Sequence, residues 1–494
     1  MSAALWLLLA QAEGAEYLIV AHDSLVEAVG PLAEWKRQKG YRTRVVPLSV
    51  IGPAPGPEEI RGFIRKAAPV YVLLAGDAPL LPAASVKRKR RIHTDHYYGC
   101  LGEGDDWHPD VYVGRLPAGT PEECAAMVRK ILAYEKAPDP ASCRKSLFAA
   151  EFADHDNDGY ENGTFAETSI AVKTYLEHLG MEARTAYQRK PASQALPLRH
   201  EKPFTGEWDL RWAGGDIIKG TWSTTLHPEG LAYVAPLEFV PDDASFRRGV
   251  TDAVNAGVGL VQFNLHGLKN QTVFPKYDIA AVRELANGDR LPLVLVFACS
   301  TGSFTEEDCF AEEWLKNPKG GAMGVIASSG GSWGTYNDWL AHGLWDGVAR
   351  GYFARLSGLP GYKKIAYAGN RHGPSRRLGP LLAYAKQALF DLYREDVQRE
   401  WLTRDTFECF NLLGDPELEL RLGSQSPLEV ESRREAVAVR RNGKPLAGAR
   451  VAWSRGDLVR AATTDAAGQA RLEGVEGGTL TVTAPDSLPY QARP

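Results

Sequence analysis

From residue 16 onward, short apolar runs alternate with stretches whose apolar residues recur at helical spacing. Tyr17–Ala21 is apolar throughout, Leu25–Gln38 is amphipathic, and Thr43–Val46 closes on the apolar pair Val45-Val46. That alternation predicts βαβ units and a parallel sheet. Further buried strands are predicted at 68–75, ending in the Gly76-Asp77 turn, and at 110–115. Thr120, Pro121 and Glu123 then mark a helix start as cap, first helical residue and capping-box partner, ahead of Met127, Ile131 and Tyr134. A subdomain boundary is expected near residue 145.

The second unit opens with Ser146–Glu151, passes an acidic loop, and enters a helix from about Phe165 to His178 that Gly180 stops. Residues 189–245 break the rhythm, with Trp208, Trp212 and Trp222 set among glycines and prolines, and predict an inserted, self-packed excursion near the sheet edge. Regular alternation resumes at Phe246. Gly257–Leu265 and Leu291–Ala298 read as buried parallel strands joined by a helix over 278–287 that ends at Gly288. After Gly423, short alternating strands are separated by the turn signals Asn442-Gly443, Asp465–Gly468 and Glu476–Gly478, the pattern of a small all-β sandwich. The expected organisation is an N-terminal segment 1–15, α/β units 16–145 and 146–422 with the insertion at about 189–245, and a sandwich 423–494.

Length agrees, since 494 residues at roughly 150 per domain suggest about three domains. With 44% apolar residues, 24% charged residues and a net charge of -4, the chain reads as globular, without the basic surplus of a nucleic-acid partner. One local exception is the basic run Lys87–Arg91, expected to be a solvated loop because no aromatic side chain interleaves it. It also offers bonds that other proteases cut. The apolar run Ala3–Ala10, followed by Ala10-Gln11-Ala12, fits a signal peptide, although no basic residue precedes it. This implies a secreted or periplasmic protein, with a cytoplasmic location as the alternative. No run is long enough to span a bilayer.

Six cysteines, at 100, 124, 143, 299, 309 and 409, are too sparse for a disulfide scaffold. One of them is placed where chemistry is expected. The strand Gly257–Leu265 delivers His266-Gly267 at its C-terminal end, and Leu291–Ala298 delivers Cys299 in the same way. Neighbouring strands lie about 4.8 Å apart, and ligands of open α/β sheets bind at this edge. An imidazole there generates the thiolate nucleophile and protonates the leaving amine, while the Gly267 N–H is free of side-chain obstruction to serve an oxyanion. Taken singly, a Cys ending an apolar strand is more often packing than catalysis. His-Glu-x-x-His, a phosphate-cradling glycine loop and Gly-x-Ser-x-Gly are all missing, which disfavours other hydrolase classes.

His266-Gly267 and Ala298-Cys299 on successive strands resemble the pattern of caspase-like cysteine peptidases, most closely the gingipain family. The likeness covers most of 17–422 through Trp35–Thr43, Tyr71–Asp77, Val113-Gly114-Arg115, Cys309–Glu312, Ser332-Trp333 and Gly414-Asp415-Pro416. It implies two caspase-like three-layer α/β/α subdomains with mostly parallel sheets, the second catalytic, followed by an immunoglobulin-like sandwich. It implies further that Cys299 is the nucleophile, His266 the general acid/base and Glu151 the group orienting the His, with Gly267 and Cys299 backbone N–H groups around the oxyanion. Trp333 matches the aromatic covering the pocket for the residue before the cut bond, though alone it reads equally as core. Protein or peptide substrates are the implied partners, and no cofactor is needed for the chemistry.

Gingipains cut after Arg or Lys because an acidic residue floors that pocket. Here the corresponding stretch, 154–165, is longer and rich in acids, so the floor residue is not legible. The same stretch resembles a calcium loop, with Asp154, Asp156 and Asp158 at alternate positions, Gly159 at the turn and the Tyr160 carbonyl as a further ligand. Phe165 stands where a twelfth-position Glu is usual. Three function classes remain open: an exported endopeptidase, an intracellular caspase-like signalling peptidase switched on by a partner, and a calcium-stabilised adhesion protein on a dead peptidase fold.

Overall fold

The computed structural model describes residues 15–152, 164–189, 204–211, 217–224, 239–349, 352, 372–393, 400–433, 435–473 and 477–493. Eleven strands form one sheet: β1 Tyr17–Ala21, β2 Thr43–Pro47, β3 Tyr71–Ala75, β4 Tyr112–Leu116, β5 Lys145–Phe152, β6 Glu182–Arg189, β7 Phe239–Val240, β8 Leu260–Asn264, β9 Leu293–Phe297, β10 Gly324–Ser328 and β11 Phe410–Gly414. Their spatial order is β7-β6-β5-β8-β9-β10-β11-β4-β3-β1-β2. All neighbours are parallel except β10 and β11, so the direction of the sheet reverses there.

The two sheets expected from the sequence are thus joined edge to edge, through the pair Leu413–Arg115. β11 comes from late in the chain yet lies beside β4, and Gly114 explains how close they come. A methyl group at Gly114 would sit 2.2 Å from the Gly414 carbonyl oxygen, so only glycine fits. Arg115 beside it is fully buried, its fork on Asp95 (Nε–Oδ2 2.6 Å, Nη2–Oδ1 2.7 Å) and its third nitrogen on the Gly76 and Leu81 carbonyls.

Helices cover both faces of the sheet. Named here are α1 Val26–Gln38, α2 Pro121–Lys136, α3 Thr164–His178, α4 Asp243–Asn255, α5 Phe310–Lys316, α6 Gly334–Val348, α7 Leu378–Tyr393 and α8 Glu400–Cys409. Thr120 caps α2 by accepting from the Glu123 N–H at 3.2 Å, as expected. Glu123 reaches back to the Gly119 N–H rather than to that of Thr120, one residue beyond a standard box. α3 ends in left-handed Gly180, with the Met181 N–H returning to the Leu176 carbonyl at 3.0 Å.

Two expectations change, and the insertion gains detail. The helix over 278–287 is only Ile279–Arg283, capped by Asp278, and the chain before it forms a three-stranded meander: His266–Leu268, Gln271–Val273, Tyr277–Asp278. Within the 189–245 insertion, Phe204–Arg211 and Ile217–Thr224 pair as an antiparallel ribbon, and β7 adds to the sheet edge beside β6. The basic run is docked rather than solvated: Arg88 pairs with Glu408 at 2.9 Å and Asp105 at 3.1 Å, and Lys89 lies 4.3 Å from the Trp401 ring centre.

The C-terminal strands form two antiparallel sheets around Val437, Val439, Val451, Trp453, Leu480 and Val482. Asn442 and Gly443 both have positive φ, the two-residue hairpin turn their sequence called for. Arg450 fastens this sandwich to the end of α1, donating to the Lys39 and Gly40 carbonyls at 2.8 and 2.7 Å.

Candidate active site

β8 lies between β5 and β9, with Asn264 opposite Ala150 on one side and Phe297 on the other. The ladder ends there; two residues on in each chain segment come His266, which pairs with Val273 in a separate sheet, and Cys299. Glu151 occupies the next-to-last position of β5, buried, on the far side of β8 from Cys299. The three strands therefore end at one edge, with the His266 strand in the middle.

Beyond β8 the chain turns over the Cys299 backbone. A methyl group at Gly267 would lie 2.6 Å from the Cys299 carbonyl oxygen and 2.9 Å from the Ala298 side chain. The residue after the histidine is therefore in van der Waals contact with the residue proposed as nucleophile. Ser300, next in the chain, has φ +57° without being glycine, a left-handed conformation that turns the chain sharply after Cys299.

Around the sulfur the structure adds residues that sequence reasoning did not identify. The Ser332 N–H donates to Cys299 Sγ at 3.2 Å, and Sγ lies 3.4 Å from the Ser332 carbonyl. Ser332 Oγ is held by the Asn337 amide at 2.8 Å, and the Ser300 N–H donates to the Gly330 carbonyl at 2.7 Å. The loop 329–333 thus wraps the sulfur just before α6 begins. Trp333, half-buried, donates its indole N–H to Asp405 Oδ2 at 3.2 Å and packs edge-on against Trp401. Only Ser332-Trp333 had been singled out in sequence; Asn337 and Asp405 belong to helices whose apolar pattern masks them.

Cys299 is also the one cysteine of the six that reaches solvent. Burial pushes the thiols of Cys124 and Cys409 up to about 12 and that of Cys143 to about 11, and raises Cys100 and Cys309 as well. Those five stay protonated and inert at neutral pH. His266 reaches solvent, yet the Phe165 ring packs edge-on against its imidazole at 5.2 Å, and partial desolvation lowers its pKa below the usual histidine value. The imidazole is neutral at neutral pH and so available as a base.

Beneath it, β8 carries two buried polar side chains where an apolar strand was read. The Trp345 indole donates to Gln262 Oε1 at 2.8 Å, and Asn264 Oδ1 accepts from Gln262 at 2.7 Å and from Ser169 at 3.0 Å. This ladder ties α3 and α6 to the strand that ends in His266.

Asp154, Asp156, Asp158 and Tyr160 lie outside the described residues. Among the described residues, two carboxylate clusters could hold a metal. In the first, Glu135, Asp415 and Glu417, the ammonium groups of Lys36 and Lys39 already bridge the acids, so it is an ion-pair network. The second, Asp77, Asp308 and Glu312, holds one ligand oxygen from each within 4.8 Å of the others. Glu312 Oε1 there is buried and has no hydrogen-bond partner among the described residues, and burial, with the charge of Asp77, raises that carboxyl to about 7. Lys316 already bridges this cluster, 3.2 Å from Asp77 and paired with Asp308, so it too is an ion-pair network.

A family model described as "Peptidase family C25" matches residues 10–421. Lys-gingipain of Porphyromonas gingivalis is 25% identical over 337 residues, 65% of this chain and 16% of that protein. Gingipain R2 of the same organism is 20% identical over 429 residues, 85% of this chain and 47% of the relative. The matched part thus spans less than half the length of these relatives. Among solved structures, the Arg-specific cysteine proteinase gingipain R superimposes with a TM-score of 0.72 at 17% identity, covering 97% of both chains. The complex of pro- and mature domains of RgpB from Porphyromonas gingivalis gives 0.70 at 18% identity, covering 97% of this chain and 99% of the other. At these identities the structural likeness speaks for the fold.

Proposed function

The chain belongs to peptidase family C25, and from that premise we propose that it is a cysteine endopeptidase with Cys299 as nucleophile and His266 as general acid/base. The observation that carries this reading is the contact of Gly267 with the Cys299 backbone, which sets the histidine strand across the only solvent-reaching thiol.

In the reaction, the His266 imidazole takes the Cys299 thiol proton and the sulfur attacks the carbonyl carbon of the substrate peptide bond. The carbonyl electron pair moves to oxygen, facing the backbone N–H groups of Gly267 and Cys299. A two-residue turn at Lys269-Asn270 closes on the Leu268–Gln271 pair. The alternation of an antiparallel ladder then leaves the Gly267 N–H pointing away from its partner strand and available to the oxyanion. When the oxyanion collapses, the C–N bond breaks, the amine leaves with the imidazolium proton, and a thioester remains. Water, deprotonated by His266, attacks the thioester; the carboxylate leaves and the thiol regains its proton. Glu151 orients the imidazole from the neighbouring strand end, and Trp333 covers the side chain before the cut bond. The Ser332 N–H, just before α6, holds the sulfur at 3.2 Å.

For substrate preference, the named specificity of the relatives supports a basic residue before the cut bond. Peptides differing only at that residue test it, with Arg or Lys expected to be turned over fastest and an apolar residue cleaved as fast counting against it. The Cys299→Ala variant should cleave none of them. Export as a secreted or periplasmic protein is proposed from the apolar run before Ala12, and sequencing the mature N-terminus checks it. Structural Ca²⁺ is proposed at Asp154, Asp156, Asp158 and the Tyr160 carbonyl, whose alternate spacing resembles a calcium loop. A thermal melt should drop with chelator and recover with calcium, and a melt insensitive to both would remove the site.

A further inference from the structure

The loop around Cys299 is not supported by the catalytic half alone. The hairpin Ala84–Lys87/Arg91–Thr94, from the other half of the sheet, lays the docked basic run against it. Arg90 sits at the turn. Its guanidinium donates to the Gly331 carbonyl, lies across the Asp405 carboxylate (Nε–Oδ1 3.2 Å, with Nη2 on Oδ2), and contacts Cys409 Sγ at 3.2 Å. The fit is close: a methyl group at Gly331 would come within 2.5 Å of Arg90 Nη1. Asp405 Oδ2 in turn accepts the Trp333 indole N–H at 3.2 Å. Two residues before Gly331, Ser329 Oγ donates to the His93 carbonyl at 2.6 Å.

Arg90 therefore grips both ends of the loop segment that contains Ser332, directly at Gly331 and through Asp405 at Trp333. Ser332 is the residue that holds Cys299 Sγ. We propose that Arg90 is a positioning residue of the peptidase: its fork fixes the wall made by 331–333, setting Trp333 over the side chain before the cut bond. The non-catalytic half thereby contributes to substrate selection without touching substrate. This rests on the cysteine-peptidase reading above.

The fork is required because two acceptors in different directions, a carbonyl and a carboxylate, are met at once. A lysine supplies one compact ammonium and satisfies the charge of Asp405 without spanning both. The variants are Arg90→Ala and, to keep Asp405 paired and the fold safe, Arg90→Lys. Peptide turnover and alkylation of Cys299 by iodoacetamide are measured side by side. Iodoacetamide needs the thiolate but no side-chain pocket. Both variants should lose about 100-fold in kcat/KM on peptides, the cost expected of a wall displaced by about 1 Å. Alkylation should stay within about threefold of the parent. Millimolar guanidinium should restore part of the loss in Arg90→Ala and none in Arg90→Lys. Peptide turnover within about twofold of the parent, or equal losses in both reactions with no guanidinium rescue, would overturn the assignment. If the parent itself neither cleaves peptides nor is alkylated at Cys299, the underlying peptidase reading fails instead.

Discussion

At the scale of single residues, the account turns on how a histidine and a cysteine are kept apart from their ordinary behaviour. Phe165 covers one edge of the His266 ring, and the desolvation lowers the imidazole pKa. A lowered value means that the neutral base persists to more acidic pH, so the acid limb of kcat/KM should fall below the ordinary histidine value of about 6.5. Phe165→Ala re-exposes the ring and should move that limb upward toward about 6.5 while leaving the alkaline limb in place. A pH–rate profile unchanged by the substitution would show that Phe165 does not set the imidazole's ionisation. His266 and Cys299 were legible in the sequence because each ends an apolar strand, a purely local signal. Phe165 was visible only as the residue occupying a calcium-loop position, since its partner lies about a hundred positions later.

Elements explain why the rest of the site was harder to read. The strands β8 and β9 carry apolar runs that any periodicity argument finds, but Gln262 and Asn264 are buried by hydrogen bonds to Trp345 and Ser169 that no local pattern encodes. The meander after His266 was not visible in the sequence because its short strands carry mixed polar residues. Elements also give meaning to the glycine motifs. Gly114 of β4 and Gly414 of β11 meet at 2.2 Å from the missing Cβ to a carbonyl, so Val113-Gly114-Arg115 and Gly414-Asp415-Pro416 are two sides of one joint. Gly114→Ala forces the strands apart and should cost about 1–3 kcal/mol, read as a lower urea midpoint. An unchanged midpoint would mean that the joint relaxes freely.

Across the whole molecule, the sheet reverses direction at β10/β11, so the active edge of one half lies beside the starts of the other half's strands. That reversal lets the Arg90 hairpin reach the Cys299 loop. It also brings α1 to the C-terminal strands, where Lys36 and Lys39 bind Glu135 and Glu417 in a buried network and Tyr17 donates to Asp415 at 2.7 Å. Such long-range pairs join residues hundreds of positions apart, which is why the basic run looked solvated from sequence although its order along the chain was plain. Fold class and the placement of His266 and Cys299 just beyond strand ends were readable; the joint between the halves was not.

The central claim is that Cys299, alone of six cysteines, is presented to substrate beside His266. The direct measurement is the rate at which a peptidyl electrophile ending in Arg labels each cysteine, followed by mass spectrometry of the digested protein. Cys299 should be labelled at least about tenfold faster than Cys100, Cys124, Cys143, Cys309 or Cys409, and His266→Ala should slow it sharply. Labelling spread evenly over the six, or unaffected by loss of the imidazole, would contradict the account.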